Sequence, residues 1–306
     1  MELAFVTHLR QRLPTSHPLL RIGPGDDAAV LAAMGERGIV VTTDLLTDGV
    51  HFDLASTEPR RVGHKALGVN LSDLAAMAAE PVAVVISLAL PLSRERLELA
   101  KELYEGMLAL AERFDVAIAG GDTNTWDGPL VISVTALGRT TPRGPLLRSG
   151  ARPGDRLLVT GELGGSILGR HLDCEPRVRE ALLLHERYDL HAGMDVSDGL
   201  ALDLSRMCEA SGVGAIVDVD RVPISGAANE LSRRDPQTTA LEHALSDGED
   251  FELLLAVPPD AASRIVHDQA VECGIRDVGE FTAEPGLRQR TADQISPLAP
   301  RGYVHR

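Results

Sequence analysis

The sequence predicts an α/β protein of two domains of similar size, residues 1–139 and 140–306. A length of 306 residues accommodates one large domain or two ordinary ones. Short β-branched runs alternate with segments of helical period along both halves. Between the halves, residues 140–155 (TTPRGPLLRSGARPGD) are dense in Pro and Gly, the composition of an interdomain link. Hydrophobic residues make up 44% and charged residues 25%, an ordinary globular balance; with 3% aromatics, the core falls to Leu, Val, Ile and Ala.

In chain order, Leu3, Phe5, Val6, Leu9 and Leu13 lie near one stripe and predict a helix over 2–13. A turn-rich stretch at 21–27 runs into a strand at 28–31, and residues 38–44 read as a strand ending on Asp44. Pro59 opens a helix over 59–79 that closes before Pro81. A strand at 82–90, an amphipathic helix at 93–113, a short strand at 116–119 delivering Gly120-Gly121-Asp122-Thr123, and a strand at 130–137 complete the first half. The second half reads as a strand at 156–160, a Gly-rich turn at 161–165 and a helix beginning at 166–172. A helix at 198–210, strands at 214–219 and 251–257, and a helix near 260–272 follow.

Several functional classes are excluded. A formal charge of −15 leaves no basic excess to displace counterions from a nucleic acid. The longest apolar runs, such as 82–92, fall short of a membrane span, and the start Met1-Glu2-Leu3-Ala4 lacks a signal-peptide pattern; a cytoplasmic address is expected. Cys174, Cys208 and Cys273 stand apart, without zinc or disulfide spacing, and read as free thiols. No G-x-x-x-x-G-K-[ST] loop and no protein-kinase signature set occurs. Gly161-Glu162-Leu163-Gly164-Gly165-Ser166 lacks dinucleotide spacing and reads as a tight strand-to-helix turn, with a phosphate contact as the lesser option.

Chemistry is concentrated in four carboxylate motifs: Gly25-Asp26-Asp27-Ala28, Thr42-Thr43-Asp44, Gly120-Gly121-Asp122-Thr123 and Met194-Asp195-Val196-Ser197-Asp198-Gly199. Each sets an acid at a strand end or turn beside Gly or a hydroxyl residue. Taken singly, such an acid is more often a plain turn residue. Asp73 is different, because it sits in the Ala- and Leu-rich helix segment ALGVNLSDLAAM, where an unpaired carboxylate is costly without a partner cation. Magnesium takes oxygen ligands, typically a few carboxylates plus substrate phosphates, so acids scattered along a chain suit a polyphosphate site. His51, seven residues after Asp44, is placed to contact a bound substrate or is an incidental loop residue.

The ordered motifs GPGDDAAV (23–30), TTDLLTDGVHF (42–52), GHKALGVNLSDLAAMAAEP (63–81), AGGDT (119–123), RSGARPGD (148–155), VTGELGGS (159–166), MDVSDGL (194–200), SDGEDFELL (246–254) and RGY (301–303) resemble the thiamine-monophosphate kinase family. The resemblance runs from end to end in family order. It implies an aminoimidazole-ribotide synthetase-like fold, whose N-terminal domain forms a dimer sheet and whose C-terminal α/β domain contributes to ATP and substrate binding. It further implies a homodimer, several Mg2+ ions, ATP as co-substrate, and conversion of thiamine monophosphate to thiamine diphosphate, the final step of thiamine diphosphate biosynthesis. By the same resemblance, Asp27, Thr42, Thr43, Asp44, Asp73, Asp122, Asp195 and Asp198 match metal positions. Tyr104, Gly121, Asp122, Arg148 and Ser197 match ATP contacts, and His51, Glu249 and Tyr303 match substrate contacts. No general base is implied.

One departure stands out: Asp247 occupies the first position of the family's usual Gly-Gly before Glu249-Asp250. Rival readings are another ATP-using member of the superfamily or a non-catalytic nucleotide or thiamine-phosphate sensor. Against the first, no Cys precedes Cys174 and the chain does not end in a reactive Cys; against the second, the metal-type acids are retained.

Overall fold

Period-two burial forms the first sheet. In β3 (Ile39–Thr47), Val40, Thr42 and Leu46 point inward, while Ile39, Thr43 and Leu45 point outward. The computed structural model describes residues 20–22, 28–31, 37–93, 95–292 and 294–304. The helix expected over 2–13 and the candidate ligand Asp27 lie outside them.

Six strands form the first sheet: β1 (Leu20–Ile22), β2 (Ala29–Leu31), β3, β4 (Ala79–Pro91), β5 (Ala117–Trp126) and β6 (Val131–Thr140). Their order is β1-β2-β3-β6-β4-β5. All neighbours are antiparallel except β4 and β5, whose parallel pairing is made by a crossover through α2 (Arg96–Arg113). The second sheet comprises β7 (Arg156–Thr160), β8 (Ala192–Val196), β9 (Gly214–Asp218), β10 (Glu252–Val257), β11 (Ile275–Thr282), β12 (Gly286–Thr291) and β13 (Gln294–Pro297). It runs in the order β13-β12-β9-β11-β7-β10-β8.

Between the two sheets lies α1 (Pro59–Ala76), touching β3, β4 and β6 on one side and β8 and β10 on the other. Pro59 suits the first helical turn, where its missing N–H is no loss. Being covered from both sides, α1 has no polar face, and Lys65, Asn70 and Ser72 are buried in it along with its aliphatic residues. Gly63 makes the close approach of α2 possible, since a Cβ there would stand 1.9 Å from the Leu103 carbonyl oxygen. A single apolar cluster continues from Val40 and Ile86 in the first sheet through Leu67 and Leu74 of α1 to Leu158 and Leu253 in the second.

The remaining helices are α3 (Val178–Arg187), α4 (Leu200–Ser211), α5 (Gly226–Arg234), α6 (Ala240–Ser246) and α7 (Pro259–His267). α6 opens with a capping box between Thr239 and Glu242.

Several expectations are corrected. Arg21 and Ile22, read as turn, belong to β1. β3 continues three residues past Asp44, and Gly120-Gly121-Asp122-Thr123 lies inside β5 rather than after it. The helix expected from 166 is two 3₁₀ turns, Ser166–Leu168 and Arg170–Leu172, separated by Gly169 at φ +134°.

Candidate active site

A cavity of about 810 Å³ opens where the two sheets converge around α1. Its lining includes Asp44, His51, Lys65, Ser197, Asp198, Glu249 and Tyr303. Residues more than 250 positions apart in sequence thus share one wall.

Each is held by a specific local device. His51 follows the turn after β3, where its Nδ1 accepts the Thr47 N–H at 3.0 Å; the exposed-loop reading is therefore corrected to a pinned, half-buried ring. Tyr303 is brought to the rim by its own N–H donating to the Asp198 carbonyl at 2.8 Å. Gly302 permits this crossing, because a Cβ there would meet the same oxygen at 2.4 Å. Glu249 adopts a left-handed backbone, φ +64°, and its N–H donates to the Ser197 carbonyl at 2.6 Å. Such a conformation is costly for a residue with a side chain and persists only where the surroundings enforce it.

Adjacent residues of α1, Ser72 and Asp73, each take part in a hydroxyl–carboxylate hydrogen bond. The Thr42 hydroxyl donates to Asp73 at 2.5 Å, on the side of the first sheet. The Ser72 hydroxyl donates to the buried Asp195 at 2.6 Å, on the side of β8. Asp195, expected at a strand end or turn, lies inside β8. Asp44 is half-buried beside the cavity, and burial pushes its carboxyl up to about 6. The Asp198 carboxylate accepts from Arg206 at 2.5 Å, while Asp203 accepts the Asp198 and Gly199 N–H groups and so satisfies the start of α4.

Other candidates lie elsewhere. Thr43 faces outward, its hydroxyl donating to the Val134 carbonyl at 3.0 Å, because neighbouring strand residues point to opposite faces. Asp122 is exposed on β5, the edge strand. The register Asp44–Val134–Ile86–Gly121 sets it one residue off the Asp44 row and three strand spacings away, roughly 14 Å. Within one protomer Asp44 and Asp122 therefore cannot ligate the same ion. Gly121 packs against β4, Tyr104 packs half-buried against the core, and Arg148 lies in the 140–155 link; none of the three lines the cavity.

The Gly-rich turn at 161–165 has an intramolecular role. The Gly164 N–H donates to Asp250 at 2.8 Å and the Gly165 N–H to Asp247 at 2.9 Å. The Asp250 carboxylate also accepts from Ser166 and Arg170, both at 2.5 Å. Burial nevertheless pushes its carboxyl up to about 6, against the opposing pull of Arg170, Ser166 and Gly164. These N–H groups are committed to carboxylates rather than to a phosphate. The unusual Asp247 thereby acquires a function: it joins the turn to His243, whose Nδ1 lies 3.0 Å from its carboxylate.

Lys65 was not singled out by sequence reading. Its side chain is 1% exposed, its Nζ donates to the His51 carbonyl at 2.6 Å, and it pairs with the Glu249 carboxylate. The available signal was the one that marked Asp73, a charge on a helix segment with no polar face.

The chain matches AIR synthase related protein, N-terminal domain, over residues 25–140 and AIR synthase related protein, C-terminal domain, over 152–290. The fold is thus that of an AIR synthase related protein. Over 313 aligned positions the whole chain is 44% identical to the thiamine-monophosphate kinase of Rhodopirellula baltica, covering 97% of that protein. The structure of AaThiL complexed with AMPPCP and TMP superposes with a TM-score of 0.84 at 26% identity, covering 99% of this chain and 96% of the other. Thiamine-monophosphate kinase from Stenotrophomonas maltophilia K279a gives a TM-score of 0.74 at 34% identity, over 94% and 95% of the two chains. This chain belongs to the thiamine-monophosphate kinase family, and it is an enzyme, a thiamine-phosphate kinase.

Proposed function

We propose that the enzyme transfers the γ-phosphoryl group of ATP directly to the phosphate of thiamine monophosphate, yielding thiamine diphosphate and ADP. The carrying observation is the convergence of His51, Glu249 and Tyr303 on one cavity with Asp44, Ser197 and Asp198. The name of the Rhodopirellula baltica relative and the ligands of AaThiL support the same reading. An acceptor phosphate oxygen attacks Pγ as the bond from Pγ to the β-bridging oxygen breaks. That oxygen is already ionised near neutral pH, so positioning and charge neutralisation carry the catalysis and no general base is assigned. In this reading His51, Glu249 and Tyr303 seat the acceptor and Ser197 contacts ATP inside the cavity, while Tyr104, Gly121, Asp122 and Arg148, which do not line it, contact the part of ATP that extends beyond it. The division into domains stays at 139/140.

The donor set fits magnesium. Asp44, Asp73, Asp195 and Asp198 offer hard oxygens, and burial of Asp44 leaves a carboxyl whose ionised form a cation would stabilise. A magnesium site of this kind would be completed by substrate phosphates and water. Bound there, Mg2+ would neutralise part of the repulsion between two anionic substrates.

A homodimer through the first sheet is also proposed. Register partners Thr43, Thr135 and Val85 form one outward row, and Val85 (39% exposed), Val82 (45%) and Trp126 (44%) leave apolar surface open beside the β5 edge. Light scattering is expected to give twice the chain mass of 32.7 kDa, and Val85→Arg to shift it toward one chain. A monomeric native protein would refute the dimer. A cytoplasmic setting is proposed from the three free thiols; no helix among the described residues is long and apolar enough to cross a membrane.

The deciding assay is product analysis from ATP, Mg2+ and thiamine monophosphate. One ADP per thiamine diphosphate, abolished by a chelator, is expected. ADP with free phosphate and no thiamine diphosphate would give the scaffold another acceptor. Tyr303→Ala is expected to raise the KM for thiamine monophosphate roughly tenfold, by loss of an aromatic face for the cationic thiazolium, with little change in the KM for ATP. Equal changes in both constants would make Tyr303 structural.

A further inference from the structure

Lys65 stands at the meeting point of the two halves of the cavity. It lies on α1, two residues from Gly63, whose close contact with the Leu103 carbonyl fixes this part of the helix against α2. Its Nζ donates to the backbone carbonyl of His51, which follows a strand of the first sheet, at 2.6 Å. The same ammonium pairs with the carboxylate of Glu249, on the loop leading into β10 of the second sheet. Glu249 is the 30% exposed member of that pair, and Lys65 the 1% exposed one.

We infer that Lys65 is a positioning residue for the acceptor, fixing the spacing of His51 and Glu249 across the cavity. This rests on the acceptor site proposed above. A lysine close to bound phosphates would ordinarily be taken as a phosphate ligand. Enclosed as it is, this ammonium directs two of its three N–H donors to protein acceptors, one of them the carboxylate of Glu249, which lines the cavity. The left-handed backbone of Glu249 makes it depend on such a tether, since the Ser197 carbonyl holds its N–H but leaves the side chain free to rotate. A compact ammonium on a flexible stem fits this enclosed corner better than the broad guanidinium fork.

The prediction is a split in the kinetic constants. Lys65→Met keeps the length and apolar stem of the side chain but removes the charge. It is expected to raise the KM for thiamine monophosphate roughly 30-fold while that for ATP changes less than about threefold. Because an unpaired, half-buried Glu249 charge also threatens folding, the Lys65→Met/Glu249→Gln double variant is measured alongside Glu249→Gln. If Lys65 acts through Glu249, the double variant has an acceptor KM close to that of Glu249→Gln alone, far from the product of the two separate effects. Independent, multiplicative effects, or equal rises for ATP and acceptor, would overturn the inference. Absence of thiamine diphosphate with the native enzyme would instead refute the proposed reaction, so the two failures are told apart in one set of assays.

Discussion

Asp44→Asn is expected to lower magnesium-dependent turnover roughly 10- to 100-fold while leaving the unliganded protein as stable as the native one or more so. The two effects share one cause. Burial already opposes ionisation of this carboxyl, pushing it up to about 6, so an amide of the same shape removes a charge that the empty fold holds at a cost. That cost is on the order of 1–3 kcal/mol at neutral pH. The proposed reaction needs the charge, because a hard cation between two anionic substrates would be held by carboxylates and only weakly by an amide. Thermal denaturation without nucleotide, together with steady-state kinetics across magnesium concentrations, checks both halves. Native-like turnover would remove Asp44 from the metal site; a large loss of stability would mean that its charge is structural.

Gly121→Ala is expected to destabilise the protein by about 3 kcal/mol, the scale of overpacking against a part that cannot yield. The new Cβ would stand 1.8 Å from the Ile86 carbonyl oxygen, and both groups are backbone. β5 is hydrogen-bonded only to β4 among the described strands, so pushing the two apart detaches the edge strand that carries Asp122. Activity should fall with stability. Gly120→Ala is the control: its φ of +150° adds strain, but nothing lies within 4 Å of the new methyl, and about 1 kcal/mol is expected. Melting temperatures of the two variants test the order, with a fall of roughly 6 °C or more for Gly121→Ala. A smaller effect at position 121 than at 120 would show that β5 is not seated on β4 in this way.

The paired glycines illustrate how a motif can be visible while its cause is not. Gly120-Gly121 reads in sequence as following a strand, with Gly121 matching an ATP contact by family resemblance. In the fold, Gly121 lies within the strand and is required by a neighbouring carbonyl. Asp247 shows the converse. As a departure from the expected glycine it has no evident purpose along the chain, yet its carboxylate holds the Gly165 N–H from 82 residues away. Thr42-Thr43-Asp44 looks like one ligand set until the alternation of β3 sends Thr43 to the outer face.

Sequence alone determined most of the alternation of strands and helices in the first half but only part of it in the second, where α3, α5, α6, β8 and β11 to β13 went unread. It also determined the family and the identities of the acids and aromatics that reach the cavity. Those properties reside in local period and in the order of motifs, both of which survive being read along a line. Tertiary structure alone decided which of those residues meet. It placed Asp44, Ser197, Asp198 and Tyr303 on one wall and left Asp122 on a distant edge. It also joined Lys65 to Glu249 across 184 positions. Such contacts depend on strand register and on the burial of α1 between two sheets, and neither is encoded within any single short segment of the chain.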